Sequence, residues 1–332
     1  MTTIWSRLGR GLERLAGRET RAKSPRLDLV YGPRYGLDLP GIPLDAHRGP
    51  RILGALAEEG LLDRHPLTTP EPISMRALRR IHTDAYLESL FRSGALERIV
   101  GYEPPDSLAQ AFLDSQRAMT GGTLLALERA LETRGIAINL GGGLHHARRD
   151  RGERFCTIHD VAVAIAEVRS RGVNEPVLVV DLDVHDGDGT REIFAHDPTV
   201  HTFSIHNATT SDLPAAEATV IELGAGMTDE LLMAALAREL PPVLDRFAPK
   251  IAFYLAGTDP AEDDAIGDGR LTAAGMLARD RFVVEALRGE GHSGNPVPLA
   301  IVLAGGYGRG SWRYTARFLG WLASGREIEP AS

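Results

Sequence analysis

Four short apolar runs in this chain each end abruptly in glycines and ionisable residues, and that recurrence limits the fold more than any other feature. Ile136 to Leu140 leads into Gly141, Gly142, Gly143, Leu144, His145 and His146, and Val177 to Val180 leads into Asp181, Leu182, Asp183, Val184, His185, Asp186, Gly187, Asp188 and Gly189. Ile251 to Leu255 leads into Ala256, Gly257, Thr258 and Asp259, and Leu299 to Leu303 into Ala304, Gly305, Gly306 and Tyr307. Apolar runs this short, without polar alternation, read as strands buried on both faces, the pattern of a parallel sheet. In an open parallel sheet the C-terminal strand ends line one crevice, so the four polar clusters are expected to meet there.

Further apolar runs at Val200 to Ile205 and Thr219 to Leu223 alternate with stretches of helical character at 108–132, 160–171, 229–240, 273–288 and 312–323. The order is βαβα, which predicts an α/β fold. No internal repeat or low-complexity linker interrupts it, and connections such as 291–298 are too short to separate domains, so 27–325 is expected to form one domain. Residues 1–26 stand apart: Arg7, Arg10, Arg14, Arg18, Arg21, Lys23 and Arg26 face only Glu13 and Glu19, while Trp5, Leu8, Leu12 and Leu15 fall at helical spacing. This predicts a basic amphipathic extension, packed on its own domain or frayed, with one face suited to a partner or an anionic membrane surface.

Composition narrows the classes of function. Over 332 residues, a net charge of −8 and 43% hydrophobic content describe an ordinary globular chain, which excludes disordered and collagen-like proteins. An acidic total argues against broad nucleic-acid binding. Cys156 is the only cysteine, so neither an internal disulfide nor a Cys-rich zinc module can form. No apolar run approaches the roughly 20 residues of a membrane helix. With no apolar signal stretch near the N-terminus, a cytoplasmic location is expected.

Seven of the 11 histidines lie between His145 and His206, where even spacing would put about two. Asp183 and His185 are two apart in extended chain, so their side chains leave the same side of the backbone. Alone, such a pair is commonly a turn or a cap. Joined by Asp259 from a neighbouring strand, it makes an oxygen and imidazole set that suits Zn²⁺ or Fe²⁺ and leaves positions open for water and substrate. The triple glycine before His145 and His146 permits a close approach of backbone to ligand. It is not a phosphate loop, because no Gly-Lys-Ser/Thr follows, and Gly224, Ala225, Gly226 lacks the third glycine of a dinucleotide fingerprint.

These motifs resemble the zinc-dependent histone deacetylase family, including its acetylpolyamine-hydrolysing bacterial relatives, over roughly 27–322. The matching stretches are 141–147, 155–162, 181–190, 256–259 and 304–307, in the family's order; Leu39 to Gly41, Asp150 to Gly152, Gly267 to Thr272, and Arg279 with Asp280 look most like the class IV branch. The resemblance implies a single-domain, three-layer arginase/deacetylase fold, with a central, mainly parallel sheet and helices on both faces. It implies that Asp183, His185 and Asp259 hold the metal, that His146, oriented by Asp188, is general base and then acid, and that His145, oriented by Asp181, is its electrostatic partner. Tyr307 would donate to the developing oxyanion, and Gly143, Arg154, Phe155 and Gly306 would line the substrate channel. A structural K⁺ site would draw on Asp181, Asp183, His185, Ser204 and Ile205. The implied activity is hydrolysis of the amide of an acylated lysine side chain or an acylated polyamine.

The chain departs from the family pattern at several positions. Asp186 stands where a second His or a Gln is common, which is expected to put another carboxylate beside the metal. Arg154 replaces a usual Gly before Phe155, and the run Asn207, Ala208, Thr209, Thr210 after His206 offers no aromatic to face Phe155. His159, often a small residue or Asn, is expected in the core or behind the site. Two other readings carry different chemistry: a binuclear manganese ureohydrolase, which needs an Asp where Gly187 stands, and a pseudoenzyme that binds an acylated ligand without turning it over.

Overall fold

The computed structural model describes residues 26–330 apart from 93, 212, 214 and 290–295. The basic extension, Arg26 excepted, and most of the 291–298 connection lie outside the described residues. Eight strands form one sheet: β1 (Leu27–Val30), β2 (Leu67–Thr68), β3 (Ile136–Asn139), β4 (Val177–Asp181), β5 (Val200–His206), β6 (Ala218–Glu222), β7 (Ile251–Leu255) and β8 (Leu299–Val302). Their spatial order is β2-β1-β3-β8-β7-β4-β5-β6, and every pairing is parallel. The four strands at the centre, β3, β8, β7 and β4, are the four whose ends carry the polar clusters. They flank the point where the chain, having built outward through β5 and β6, returns to fill the gap between β3 and β4, which is where open α/β sheets bind ligands.

Alternation along the strands sorts their side chains into two cores, giving three layers. Leu178, Val180, Ala252, Tyr254, Leu299 and Ile301 face one way, towards α1 (Arg48–Glu58), α8 (Asp229–Phe247), α9 (Ala273–Arg288) and α10 (Ser311–Ser324). Val177, Val179, Ile251, Phe253, Ala300 and Val302 face the other, towards α2 (Met75–Leu78), α3 (Asp84–Ser89), α4 (Glu97–Val100), α5 (Asp106–Thr133) and α6 (Asp160–Arg169). One short helix, α7 (Asp188–Ile193), follows the β4 cluster directly. The expected helices all form. The third runs beyond Leu240, through Pro241 and Pro242 to Phe247. The carbonyls freed by the missing N–H groups belong to Ala237 and Arg238, neither of which is buried. No described helix is long and apolar enough to cross a membrane.

The bulkiest fully buried side chain among the described residues is a charged one. Arg279 on α9 is 0% exposed; its guanidinium pairs with Asp280 at 2.7 Å and donates to the carbonyls of Gly257 at 2.7 Å and Leu182 at 3.2 Å. It thus ties β7 to β4 just before Asp259 and Asp183. Asp280 also accepts from the Tyr254 hydroxyl. Arg279→Met leaves the carboxylate without its cation and two carbonyls without a donor, and should lower unfolding free energy by about 3–5 kcal/mol. Chemical denaturation measures it, and a loss under about 1 kcal/mol would show that the ion pair does not hold the strand ends.

Candidate functional site

The crest of β3 owes its shape to two glycines in the left-handed region, Gly142 at φ +74° and Gly143 at φ +80°. A Cβ on Gly143 would stand 2.6 Å from the Ala304 Cα, so only glycine lets this loop lie against the β8 end. Asp160, the first residue of α6, clamps it. Its carboxylate accepts from the Gly143 N–H at 2.9 Å, the Leu144 N–H at 2.7 Å and the Thr123 hydroxyl at 2.5 Å. The clamp directs His145 and His146 to the centre of the sheet's C-terminal edge.

Asp183, His185 and Asp259 are brought together there, each offering one donor atom within 4.8 Å of the others. His185 Nδ1 lies 3.0 Å from Asp183 Oδ1 and 3.0 Å from Asp259 Oδ2. The remaining oxygens are satisfied by backbone: Gly305 N–H donates to Asp183 Oδ2 at 2.7 Å, and Val184 N–H to Asp259 Oδ1 at 3.1 Å. A Cβ on Gly305 would stand 2.2 Å from Asp259 Oδ2 and 2.5 Å from Asp183 Oδ2, so the sequence leaves the space beside both carboxylates open. Electrostatics agree with a cation site. Burial and the neighbouring Asp183 push the Asp259 carboxyl up to about 7, and His185, which burial alone would depress, is lifted to about 11 by its hydrogen bonds to Asp183 and Asp259. Two buried carboxylates and an imidazole fit a divalent metal of the Zn²⁺ or Fe²⁺ type. Among the described residues this is the one such set.

The paired histidines lie beside it. His145 Nδ1 is 2.7 Å from Asp181 Oδ2, His146 Nδ1 is 3.1 Å from Asp188 Oδ1, and the two Nε2 atoms approach to 3.0 Å. Each carboxylate can only accept, so each holds a proton on Nδ1. The two imidazoles nonetheless differ. Burial would depress His145, but Asp181 and Asp183 outweigh it and lift its pKa to about 9; burial and the neighbouring His145 hold His146 down to about 4. One ring is therefore cationic at neutral pH and the other a neutral base.

Tyr307 completes the ring of side chains around a cavity of about 160 Å³ that also touches Gly143, His146, Arg154, Phe155 and Gly306. Its backbone N–H donates to Asp264 at 2.7 Å, and burial raises its hydroxyl well above the usual tyrosine range. The Phe155 and Tyr307 rings lie 6.3 Å apart at 56°, so the aromatic that Phe155 meets is Tyr307. Arg154 and Phe155 occupy the left-handed region in succession, at φ +45° and +67°. This turn is held by Phe155 N–H donating to the Ile99 carbonyl at 2.9 Å and by Gln116 donating to the Phe155 carbonyl at 2.7 Å.

The expectation for Asp186 is corrected. Its carboxylate turns from the metal set and forms a two-pronged pair with Arg191 at 2.7 and 2.8 Å while accepting from the Thr210 N–H at 2.9 Å. β4 ends at Asp181 and the chain bends at 183–185 before α7 begins, which carries the Asp186 side chain to Arg191 on that helix and to Thr210. His159 is fully buried, with Nδ1 capping α6 and Nε2 3.0 Å from the Thr190 hydroxyl. Ser204 pairs with Asp181 across β4 and β5, which sets Ser204 and Ile205 beside the Asp181 to His185 segment. Sequence reasoning missed Asp160, Gln116 and Arg48. The last reaches from α1 to the Ala304 carbonyl at 3.1 Å and the Thr258 hydroxyl at 3.3 Å. Arg148 was missed as well; it binds Asp188 at 2.7 Å.

Residues 42–319 match the family described as the histone deacetylase domain. An uncharacterized protein of Picosynechococcus sp. is 33% identical over 293 residues, which cover 85% of this chain and 92% of that protein. Histone deacetylase 2 of Arabidopsis thaliana is 29% identical over 304 residues, 88% of this chain and 77% of its own length. Histone deacetylase 8 of Xenopus tropicalis is 28% identical over 272 residues, 75% and 70% respectively.

Two measurements probe the cation site. Gly305→Ala should weaken Zn²⁺ binding by about 10- to 100-fold, as loss of a ligand's support typically does. Competition against a chromophoric chelator reads this, and unchanged affinity would mean that the space beside the carboxylates is not where the ion sits. Protons compete with the metal for Asp259, at about 7, and for His185, at about 11. Both must be unprotonated to ligate, so affinity should fall as pH drops through neutrality and Zn²⁺ uptake should release protons. Affinity that does not change with pH would contradict this.

Proposed function

The chain belongs to the histone deacetylase family, and from that premise we propose that it is a deacetylase-type hydrolase that uses a metal, Zn²⁺ or Fe²⁺, to remove an acyl group from an acylated lysine side chain or an acylated polyamine. The observation that carries the proposal is the meeting of Asp183, His185 and Asp259 with a histidine pair whose Nε2 atoms are 3.0 Å apart, where Asp183, both histidines and Tyr307 line one cavity. We extend the proposal to the whole of 27–325 as one catalytic domain and to Ser204 and Ile205, with Asp181, Asp183 and His185, as a structural K⁺ site.

Asp183, His185 and Asp259 would hold the metal, which when bound polarises a carbonyl oxygen and acidifies water. Burial and the neighbouring His145 keep the pKa of His146 low, and its Nε2, which shares a 3.0 Å contact with His145 Nε2, can take a proton from water when that contact opens. Asp188 accepts the Nδ1–H and stabilises the imidazolium that results, and the same proton can then pass from Nε2 to the departing amine. His145, held cationic against Asp181, supplies fixed positive charge where negative charge develops. The Tyr307 hydroxyl, kept protonated by burial, donates to the amide oxygen as it becomes an oxyanion. Phe155, opposite Tyr307, gives the aliphatic stem of the amine an apolar wall.

The test is hydrolysis of acyl-lysine peptides and acetylpolyamines of graded acyl length by the zinc-reconstituted chain, with Asp259→Ala as the blank. Release that depends on metal is expected; binding of metal and ligand without release from any substrate would make the protein an acyl-ligand binder instead. Tyr307→Phe should lower kcat by about 10²- to 10³-fold with metal affinity unchanged, the usual effect of losing an oxyanion donor. Unaltered turnover would remove Tyr307 from the mechanism.

A further inference from the structure

The segment that leads into the channel wall is strongly basic on a chain of net charge −8: Arg148, Arg149, Arg151 and Arg154 fall within seven residues. Three of the four are engaged. Arg148 is buried against Asp188 and Glu192; Arg149 donates to the Ile193 carbonyl at 3.0 Å; Arg151 pairs with Glu153 at 2.8 Å and Asp150 at 3.0 Å. Arg154 differs. Its side chain is 44% exposed at the cavity wall beside Phe155, and the nearest carboxylate oxygen, on Asp188, is 3.9 Å away, beyond hydrogen-bond reach. It also sits at φ +45°, where glycine would be free of the steric cost that any side chain incurs. A residue kept there against backbone preference is reasonably sought a role for its side chain.

Directly behind this turn lies a second cavity, a surface groove of about 590 Å³ that has Gly152 and Glu153 as one wall. Arg92 and Arg98 line it, both exposed and without an ion pair among the described residues. The groove's two carboxylates, Asp150 and Glu153, are those already paired with Arg151. On the opposite lip, near Tyr307, two carboxylates keep their negative charge, held by neutral donors alone. Asp264 accepts the N–H groups of Ile266, Gly267 and Tyr307, and Asp263 accepts the Tyr314 hydroxyl at 2.6 Å. Arg154, Arg92 and Arg98 therefore form a strip of positive charge along this side of the mouth and its adjoining groove, with Asp188 3.9 Å from Arg154 as the one carboxylate near any of the three guanidinium groups among the described residues.

Resting on the hydrolase reading above, we propose that Arg154, Arg92 and Arg98 select acyl-lysine peptides with Asp or Glu close to the acylated residue, and select against acylated polyamines. With the amide at the metal set and the stem along Phe155, the peptide backbone emerges at Arg154. Each further residue advances about 3.3–3.6 Å, so the next few side chains reach the groove. A polyamine would instead bring its distal ammonium against the Arg154 guanidinium.

Acetyl-lysine peptides carrying Glu, Ala or Lys on either side are compared on the full chain by kcat/KM, and their fluorescent forms by anisotropy with Tyr307→Phe, which reads binding even without turnover. Exposed ion pairs are worth roughly 1.5- to 5-fold each, so the three arginines should favour Glu over Lys by about tenfold, fading in high salt. Arg154→Glu, and separately Arg92→Glu with Arg98→Glu, should each shrink or invert the ratio while the Ala peptide changes least. Arg154→Gly, which suits the backbone, should abolish the Arg154 share without strain. A ratio near one in both assays overturns the proposal even if hydrolysis is fast. So does a ratio unmoved by Arg154→Glu, or one moved equally by Arg129→Glu near the C-terminal end of α5, which makes the same change of net charge and breaks only the pair with Glu132.

Discussion

Ionised side chains within and beneath the catalytic edge are the constraint on which this structure turns, and the Arg279 guanidinium is where it is met most directly. Taking a carboxylate or a guanidinium out of water is costly unless partners replace the hydration. Arg279 has Asp280 and two carbonyls, and those carbonyls belong to the very segments that present Asp183 and Asp259. Arg48 plays the corresponding part on the other side, joining the ends of β7 and β8 through Thr258 and Ala304. The positions of the polar clusters are thus set from beneath by Arg279 and from the cavity wall by Arg48.

The same logic separates the roles of chemically similar residues. Asp181, Asp183, Asp186 and Asp188 lie within eight positions, yet one serves His145, one faces His185, one is consumed by Arg191 and one is shared by His146 and Arg148. The end of β4 at Asp181, the bends at 183–185 and the onset of α7 distribute them. Neighbouring histidines diverge likewise: His145 gains two anions and His146 gains a cation, so identical rings sit on opposite sides of neutrality.

Much of this could be read before any coordinates. The four central strands were legible because a buried parallel strand is a continuous apolar run, and its C-terminal end is marked when charges follow at once. Candidate metal ligands followed from side-chain alternation. What stayed hidden was of two kinds. Two-residue β2 and the four- to six-residue helices α2, α3 and α4 are too short for a period to show. Contacts set by tertiary approach also leave no local trace: Arg48 meets Ala304 across 256 positions, and Gln116 reaches Phe155 across 39. Asp186 was misjudged because its place in the family pattern was taken to put its carboxylate beside the metal, whereas Arg191, five residues on, takes both of its oxygens.

The strand order has a consequence for how the molecule is made. Strands β2, β1 and β3 form one half-sheet and β4, β5 and β6 another, and only the last two strands, β7 and β8, join them. As the chain leaves the ribosome, the strands of both halves emerge before residues 251–302, so either half, if it pairs early, has a bare parallel edge in what will become the centre of the protein. Such non-local closure is slow and leaves apolar edges open to association. Asp183 stands on one of those edges and Asp259 arrives with the strand that covers it, so the ability to chelate a cation is acquired at the moment the two halves become one.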